Sequence, residues 1–176
     1  MRFVKKKEQS EESAASKYNS RKALLDTDGF ITLLTLPEVK MLKEKGLKEG
    51  QLLFDSGLEA RYYRDQLLPM VKDQSILVEF QPKYTLVPKF EKEGIKHMAV
   101  TYTPDFKVTY FSGKVLLIDV KGAEDQKFPI KRKLFDYINR DLPPLLVMKY
   151  CKKFGGWITI EEYNLKKREE KKANKA

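Results

Sequence analysis

YTPDF at residues 102–106 and LIDVKG at residues 117–122 are the two stretches that decide the predicted fold. Each belongs to a segment with the pattern of a β-strand and carries charged residues near one end. The segment FSGK at residues 111–114 is typical of a turn, so the two strands are predicted to form a hairpin. This hairpin would place Asp105 beside Asp119.

The end of the second strand has an unusual mixture of side chains. By the period of two, Leu117, Asp119 and Lys121 share one face of the strand. A carboxylate and a lysine on an otherwise apolar strand are costly to bury unless they are paired or bind something. With Asp105 they form a set of two carboxylates and one amine, which suits divalent metals and phosphodiester chemistry. A surface ion pair at a strand end explains the same spacing equally well.

The register of the hairpin decides whether the acidic groups meet. A two-residue loop would pair Phe106 with Asp119 and turn Asp105 to the opposite face, because a slip of one residue inverts the faces. The carboxylates converge only if the loop has an odd number of residues or a bulge lies near Pro104. A three-residue loop with Gly113 in the left-handed conformation meets this requirement.

Two polar residues at element boundaries each have two interpretations. Glu59, three residues after Ser56, completes a capping box at a helix start, or it leans over the sheet and completes a metal cluster. The local sequence favours the cap. Gln81 follows a predicted strand, where it is either a turn amide or a polar group pointing into the site.

The composition is that of one globular domain with charged extensions. The 176 residues are 41% hydrophobic and include one cysteine, Cys151, and one histidine, His97. An intrachain disulfide and a cysteine-rich zinc site are therefore excluded, and a histidine-based triad is not expected. No apolar run reaches membrane-spanning length and no signal peptide is seen, so we expect a cytoplasmic protein without membrane contact.

The net charge of +10 suits a polyanionic partner such as nucleic acid, although simple solubility also explains it. Residues 1–22 hold seven lysines and arginines against three glutamates and are predicted to form a flexible basic arm. Residues 161–176 form a charged tail, predicted to be a frayed helix. The predicted helix at 127–140 begins with basic residues, which either hold a phosphate backbone or form a solvated face.

The whole pattern predicts an α/β fold with a central mixed β-sheet flanked by helices. Residues 23–50 are predicted to form a hairpin and a short helix that Thr35 caps and Gly46 ends. The elements expected after residue 51 are a helix from Ser56 to about Leu68, strands at 76–80, 84–87, 98–110 and 115–120, a helix at 127–140 with an apolar stripe of Ile130, Leu134 and Ile138, and strands at 145–150 and 157–160.

These motifs resemble the PD-(D/E)XK nuclease superfamily, whose core has the order αβββαβ. Pro104-Asp105 resembles the PD half of the signature, and Asp119-Val120-Lys121 resembles the (D/E)XK half, with aspartate in place of the commoner glutamate. Glu59 occupies the position of the acid on the first helix. The resemblance implies a restriction-endonuclease-like core.

Several segments resemble, more narrowly, a family of small phage-encoded endonucleases similar to Holliday-junction resolvases. The segments are FDSGLEA at 54–60, EFQP at 79–82, YTPDF at 102–106 and KRKLF at 131–135. The resemblance covers about residues 51–150. It implies a nuclease-like domain at 51–160, preceded by an insertion at 23–50.

The resemblance also implies roles for individual residues. Asp105, Asp119 and the backbone carbonyl of Val120 would bind Mg²⁺, for which Mn²⁺ is the expected substitute. Glu59 would bind a metal directly or through water, and Lys121 would orient the attacking water. The expected substrate contacts are Gln81, Lys83, Lys127, Lys131 and Arg132.

The expected function is a Mg²⁺-dependent DNA endonuclease of a phage or prophage, located in the bacterial cytoplasm. A role in phage recombination or replication on branched DNA, such as a Holliday junction, rests on the resemblance alone. Symmetric cutting of both strands would require a homodimer. The alternatives are a non-catalytic DNA-binding or adaptor protein that keeps the fold, and a structural phage component whose basic arms contact nucleic acid.

Overall fold

The computed structural model describes residues 21–123 and 126–174. The predicted basic arm at 1–22 lies outside these residues except for its last two positions. The chain divides into two compact units, Met1–Gln66 and Leu67–Ala176. This division falls inside the predicted 51–160 domain. In the described part of the chain, no helix is long and apolar enough to cross a membrane.

The first unit contains a small antiparallel sheet. Its strands, in the order β2-β1-β3, are β1 (Ala23–Leu25), β2 (Ile31–Leu33) and β3 (Leu52–Phe54). Helix α1 spans Leu36–Lys45, where the Thr35 side chain and the Glu38 carboxylate form a capping box. The predicted hairpin and the predicted capped helix are both confirmed.

The next helical segment differs from its prediction at its end. Helix α2 (Gly57–Tyr62) is followed by a π-helical turn (Tyr63–Leu67) and by α3 (Leu68–Lys72). The prediction that the helix stops before Pro69 is wrong. Pro69 lies in the first turn of α3, where backbone N–H groups have no partner within the helix. The N–H group that proline lacks therefore costs no hydrogen bond of α3.

The second unit is built on a five-stranded mixed sheet, in agreement with the predicted α/β class. Its order is β12-β11-β10-β9-β4, and only β10 and β11 run parallel. The strands are β4 (Ile76–Phe80), β9 (Phe106–Tyr110), β10 (Val115–Val120), β11 (Leu145–Cys151) and β12 (Gly156–Thr159). Helix α4 (Phe128–Ile138) connects the parallel pair, as parallel strands require a crossover.

Two ribbons and a final helix complete the second unit. Strands β5 (Tyr84–Val87) and β8 (Val100–Tyr102) pair antiparallel, as do β6 (Phe90–Lys92) and β7 (Ile95–His97). The β6–β7 hairpin was not predicted. Helix α5 (Ile160–Ala173) begins with a capping box formed by Thr159 and Glu162, so the predicted helical tail is confirmed.

The core of the second unit corrects the predicted orientation of α4. Ile130 is 62% exposed and Ile138 is 43% exposed, so these two residues of the predicted apolar stripe do not face the core, whereas the third, Leu134, packs against it. Phe128 and Phe135, seven residues apart, are buried instead. They join a cluster that also contains Leu86, Tyr102, Leu117, Leu145, Val147 and Ile160. Aliphatic side chains lie on both sides of α4, and packing against the aromatic rings selects the buried side.

Candidate active site

The turn between β9 and β10 sets the register of the site. Thr109 pairs with Val115 and Phe106 with Ile118, while the N–H of Tyr110 donates to the carbonyl of Lys114 over 2.8 Å. The loop therefore contains three residues, 111–113. Its last residue, Gly113, has a φ of +84°, which glycine adopts without steric cost. The predicted odd-numbered loop is confirmed.

This register places Asp105, one residue before β9, opposite Asp119. An oxygen of the Asp105 carboxylate, Oδ2, accepts a hydrogen bond from the N–H of Val120 over 2.6 Å. The Asp105 side chain thus satisfies a backbone donor of β10 at a position that lies beyond the end of β9. The backbone carbonyl of Asp105 accepts from the N–H of Gln81 over 2.9 Å, so the segment is held on both sides.

Asp119 is the most deeply buried charged residue of this group. It is 1% exposed, and Lys121 lies 3.1 Å from its Oδ1 and 2.9 Å from its Oδ2. Only the approach to Oδ1 has the direction of a hydrogen bond, and among the described residues Oδ2 has no well-aligned donor. The Lys121 amine also lies 5.4 Å from the centre of the Phe128 ring. Both oxygens of the buried carboxylate therefore lie within ion-pair distance of the Lys121 ammonium.

Burial dominates the electrostatics of these groups. It raises the pKa of Asp119, and the neighbouring Lys121 opposes that rise without cancelling it. Burial also raises the pKa of Tyr102, and the negative charges of Asp119 and Asp105 add to the effect. The Tyr102 hydroxyl has no hydrogen bond of standard geometry in the described part of the chain, but its interaction with the Asp119 carboxylate contributes to the raised pKa of Tyr102. The structure therefore places a neutral phenol beside two carboxylates.

The cations predicted to contact substrate differ in their surroundings. Arg132 donates from Nη2 to the carbonyl of Leu145 over 3.1 Å, and its Nη1 lies 2.6 Å from a Glu161 oxygen. Its guanidinium is therefore engaged within the protein. Lys83 and Lys127 are exposed and Lys131 is half-buried. Gln81 is exposed as well, with a φ of +49°.

Glu59 belongs to the first unit, whereas Asp105, Asp119 and Lys121 belong to the second. Its backbone N–H donates to the Ser56 hydroxyl over 3.1 Å, and that hydroxyl donates to Glu59 Oε1 over 2.7 Å. The predicted N-cap at Ser56 is confirmed, and the Glu59 carboxylate binds the Ser56 hydroxyl at this helix start. Glu59 is also buried, with 9% of its surface exposed, which is uncommon for a residue that acts only as a helix cap.

The donor set for a metal is smaller than the sequence predicts. Within residues 21–123 and 126–174, no group of three or more histidine, cysteine, aspartate or glutamate side chains is gathered closely enough to hold a metal ion. Asp105 and Asp119 provide two carboxylates at adjoining strand ends. Because Mg²⁺ is commonly held by one or two carboxylates together with water, this pair fits such an ion.

Comparison with known families places the chain in one of them. A family model described as "Protein of unknown function (DUF1064)" matches residues 39–155, more than half of the chain. The chain belongs to the DUF1064 family. No curated protein and no solved structure matches it.

The DUF1064 match includes all four residues predicted to be catalytic, Glu59 among them. It also includes Tyr102, which the sequence reasoning did not select as a site residue. The available signal was its position in the YTPDF segment, two residues before Pro104. Side chains alternate along β8, and the pairing of β8 with β5 places the Tyr102 side chain on the core side. The sequence does not show this pairing.

Proposed function

We propose that this DUF1064 protein is a metal-dependent DNA endonuclease that hydrolyses phosphodiester bonds. The supporting observation is the convergence of Asp105 and Asp119 at adjoining strand ends, with Lys121 2.9 Å from Asp119. The element order also supports a restriction-endonuclease-like core of the PD-(D/E)XK type, since β4, β9, β10, α4 and β11 follow the helical segment in sequence.

Asp105, Asp119 and the carbonyl of Val120 would hold Mg²⁺ or Mn²⁺. A bound divalent ion supplies charge neutralisation at the scissile phosphate and an acidified water. Lys121 orients the attacking water and offsets negative charge that develops on the phosphate. Tyr102 and the Phe128 ring exclude bulk water from the carboxylate side of the site, which strengthens each of these interactions.

The proposed substrate contacts are cations that the sequence places beside the predicted strands and helix. Lys83, Lys127 and Lys131 would contact phosphate oxygens, and the net charge of +10 favours encounter with DNA. Arg132 fits a positioning role, because its guanidinium holds the Leu145 carbonyl and Glu161. We propose a phage or prophage setting with branched DNA as a substrate, and a homodimer for symmetric cutting.

The decisive experiment compares two carboxylate-to-amide substitutions. Asp119→Asn removes the charge proposed to hold the metal, whereas Glu162→Gln makes the same change at the start of α5. We expect Asp119→Asn to lower Mg²⁺-dependent cleavage by about a thousandfold or more, and Glu162→Gln to leave the rate unchanged. The measurement is cleavage of a four-way junction, a fork, a flap and a linear duplex.

Equal cleavage by the parent and Asp119→Asn would refute the nuclease assignment. Binding of DNA by the parent without any cleavage, and without calorimetric binding of Mg²⁺ or Mn²⁺, would favour the non-catalytic adaptor instead.

A further inference from the structure

The β6–β7 hairpin is an exposed arm. Every residue from 88 to 100 is exposed. Among them are large apolar side chains: Phe90 is 47% exposed, Ile95 63% and Met98 82%. Exposed apolar side chains gathered on one element can form a patch that binds a partner. The arm therefore presents a surface for a partner.

The two faces of the arm have different chemistry. Cross-strand pairing joins Phe90 to His97, Lys92 to Ile95, and Glu91 to Lys96. Because side chains alternate along a strand, the first two pairs share one face and the third pair lies on the other. We call the face that carries Phe90, Lys92, Ile95 and His97 the aromatic face. On the opposite face, the charges of Glu91 and Lys96 offset each other.

The aromatic face has the composition of a nucleic-acid contact. The Phe90 and His97 rings are stacked, with centroids 4.4 Å apart and planes 12° apart. Aromatic rings on which bases stack, combined with a cation for the backbone, are the usual means of holding unpaired DNA. Apolar side chains such as Ile95 can also insert between base steps. The Lys92 ammonium on the same face favours a polyanion such as DNA over an uncharged apolar partner.

The arm is joined to the candidate active site by the β5–β8 ribbon. Tyr84 at the start of β5 pairs with Tyr102 at the end of β8, and Tyr102 influences Asp119 directly. At about 3.3 Å per residue, the six-residue path from Tyr84 to Phe90 spans at most ~20 Å. That reach is within about one turn of duplex DNA.

We propose that the aromatic face of the β6–β7 hairpin binds DNA with unpaired or unstacked bases and holds it next to the active site. Only such bases expose a π-face for the Phe90–His97 pair, so the arm selects branched or single-stranded DNA over intact duplex. This inference rests on the proposed function for the identity of the ligand, but it concerns binding and requires no cleavage.

The test uses two lysines of the same hairpin as a matched pair. Lys92→Ala removes the cation of the aromatic face, and Lys96→Ala removes the cation of the opposite face. The measurement is fluorescence anisotropy of a labelled single-stranded oligonucleotide and of a labelled duplex, in EDTA, over a range of salt concentrations. We expect Lys92→Ala to weaken single-strand binding about fivefold and to reduce the salt slope by about 0.7, and Lys96→Ala to change neither.

A second pair of variants tests stacking. Phe90→Ala should weaken single-strand binding about tenfold and duplex binding much less, while Phe90→Tyr, which keeps the ring, should match the parent. Thermal unfolding of each variant checks that the fold is retained, as expected for exposed positions. Both lysine variants avoid any change to apolar packing, so they decide the question even if Phe90→Ala unfolds.

The outcomes separate this inference from the proposed function. Equal effects of Lys92→Ala and Lys96→Ala, in a parent that binds and cleaves DNA, would overturn the arm alone. A parent that binds through Lys92 but never cleaves would support the arm and overturn the nuclease. A parent that binds no DNA would overturn both. A change of oligomeric state in Phe90→Ala with unchanged DNA binding would assign the face to a second copy of the chain and overturn the arm.

Discussion

Carboxylates at the start of helix α5 and at the end of strand β10 have opposite relations to stability. Glu162 accepts a hydrogen bond from the backbone N–H of Thr159 over 3.0 Å, and this bond lowers the pKa of its carboxyl. Asp119 is buried, and burial raises the pKa of its carboxyl despite the adjacent Lys121. Ionisation therefore favours the folded state at the helix start and opposes it at the strand end.

The contrast shows that the ionised carboxyl of Asp119, unlike that of Glu162, lowers the free energy of unfolding. The Glu162 carboxylate satisfies the backbone N–H of Thr159, so its charge is part of the fold. Asp119 occupies a position that an apolar residue would fill more favourably, as Leu117 does two residues earlier on the same face. A perturbed carboxylate kept in such a place is a recognised mark of a functional site.

Lys121→Met should produce the largest loss of stability. It leaves the buried Asp119 carboxylate without its ammonium partner, which we expect to cost about 2 kcal/mol at neutral pH, or a fall in Tm of roughly 4–8 °C. Acid should reduce this loss, because Asp119 can then take a proton. Thermal unfolding at neutral and acidic pH measures both. An equal loss at both pH values would mean that the lysine acts through packing against Phe128 rather than through charge.

Asp119→Asn should stabilise the protein. A carboxyl with a raised folded pKa contributes favourably below its ordinary value of 3.8, and that contribution is lost as the pH rises through the folded pKa. The amide carries no charge, so its advantage should appear as the pH rises above 3.8 and reach about 1 kcal/mol, or roughly 2–4 °C in Tm. A lower Tm for Asp119→Asn at every pH would show that the Asp119–Lys121 ion pair stabilises the fold.

Glu162→Gln should have the opposite and smaller effect. A carboxyl with a lowered folded pKa contributes stability above its ordinary value of 4.5, and this is lost as the pH falls through the folded pKa. We therefore expect a slightly lower Tm at neutral pH and no difference in acid. Urea unfolding at the two pH values provides an independent measurement. A higher Tm for Glu162→Gln than for the parent at neutral pH would show that ionisation opposes folding at Glu162 as well as at Asp119.

The smallest effects concern two glutamines in the left-handed region. Gln81 has a φ of +49° and Gln74 a φ of +60°. Replacing either with glycine should relieve strain, but glycine's greater freedom in the unfolded chain offsets most of the gain, so the free energy of unfolding should rise by only about 0.3 kcal/mol. Only Gln81→Gly should also slow DNA cleavage, because Gln81 follows β4 at the site. Equal cleavage by the two variants would remove Gln81 from the proposed substrate contacts.

The central hairpin could be predicted because its information is local. The FSGK turn, the alternation of Leu117 with Asp119 and the need for the acids to share a face together required an odd loop. The structure has a loop of three residues with Gly113 left-handed. Capped helix starts were equally predictable, since Thr35 and Ser56 act within one turn of their own helices. The cap at Thr159 was missed, because this residue was assigned to the predicted strand at 157–160.

Features that depend on distant contacts could not be predicted in this way. Helix α4 carries apolar side chains on both sides, and the aromatic cluster buries Phe128 and Phe135 rather than Ile130. The β6–β7 hairpin was missed because its residues are largely polar and exposed. Tyr102 was missed because its approach to Asp119 depends on pairing between β5 and β8.

The parallel pairing of β10 with β11 has a consequence for the order of assembly. Thr109 and Val115 pair across a short loop. Leu117 pairs with Leu145, which is distant in sequence because helix α4 lies between the two strands. Local contacts close quickly and distant ones slowly. The two aspartates are therefore brought together while still in water, and dehydration of Asp119 follows late. Folding kinetics should show this delay: asparagine at position 119 should mainly slow unfolding and barely alter the folding rate.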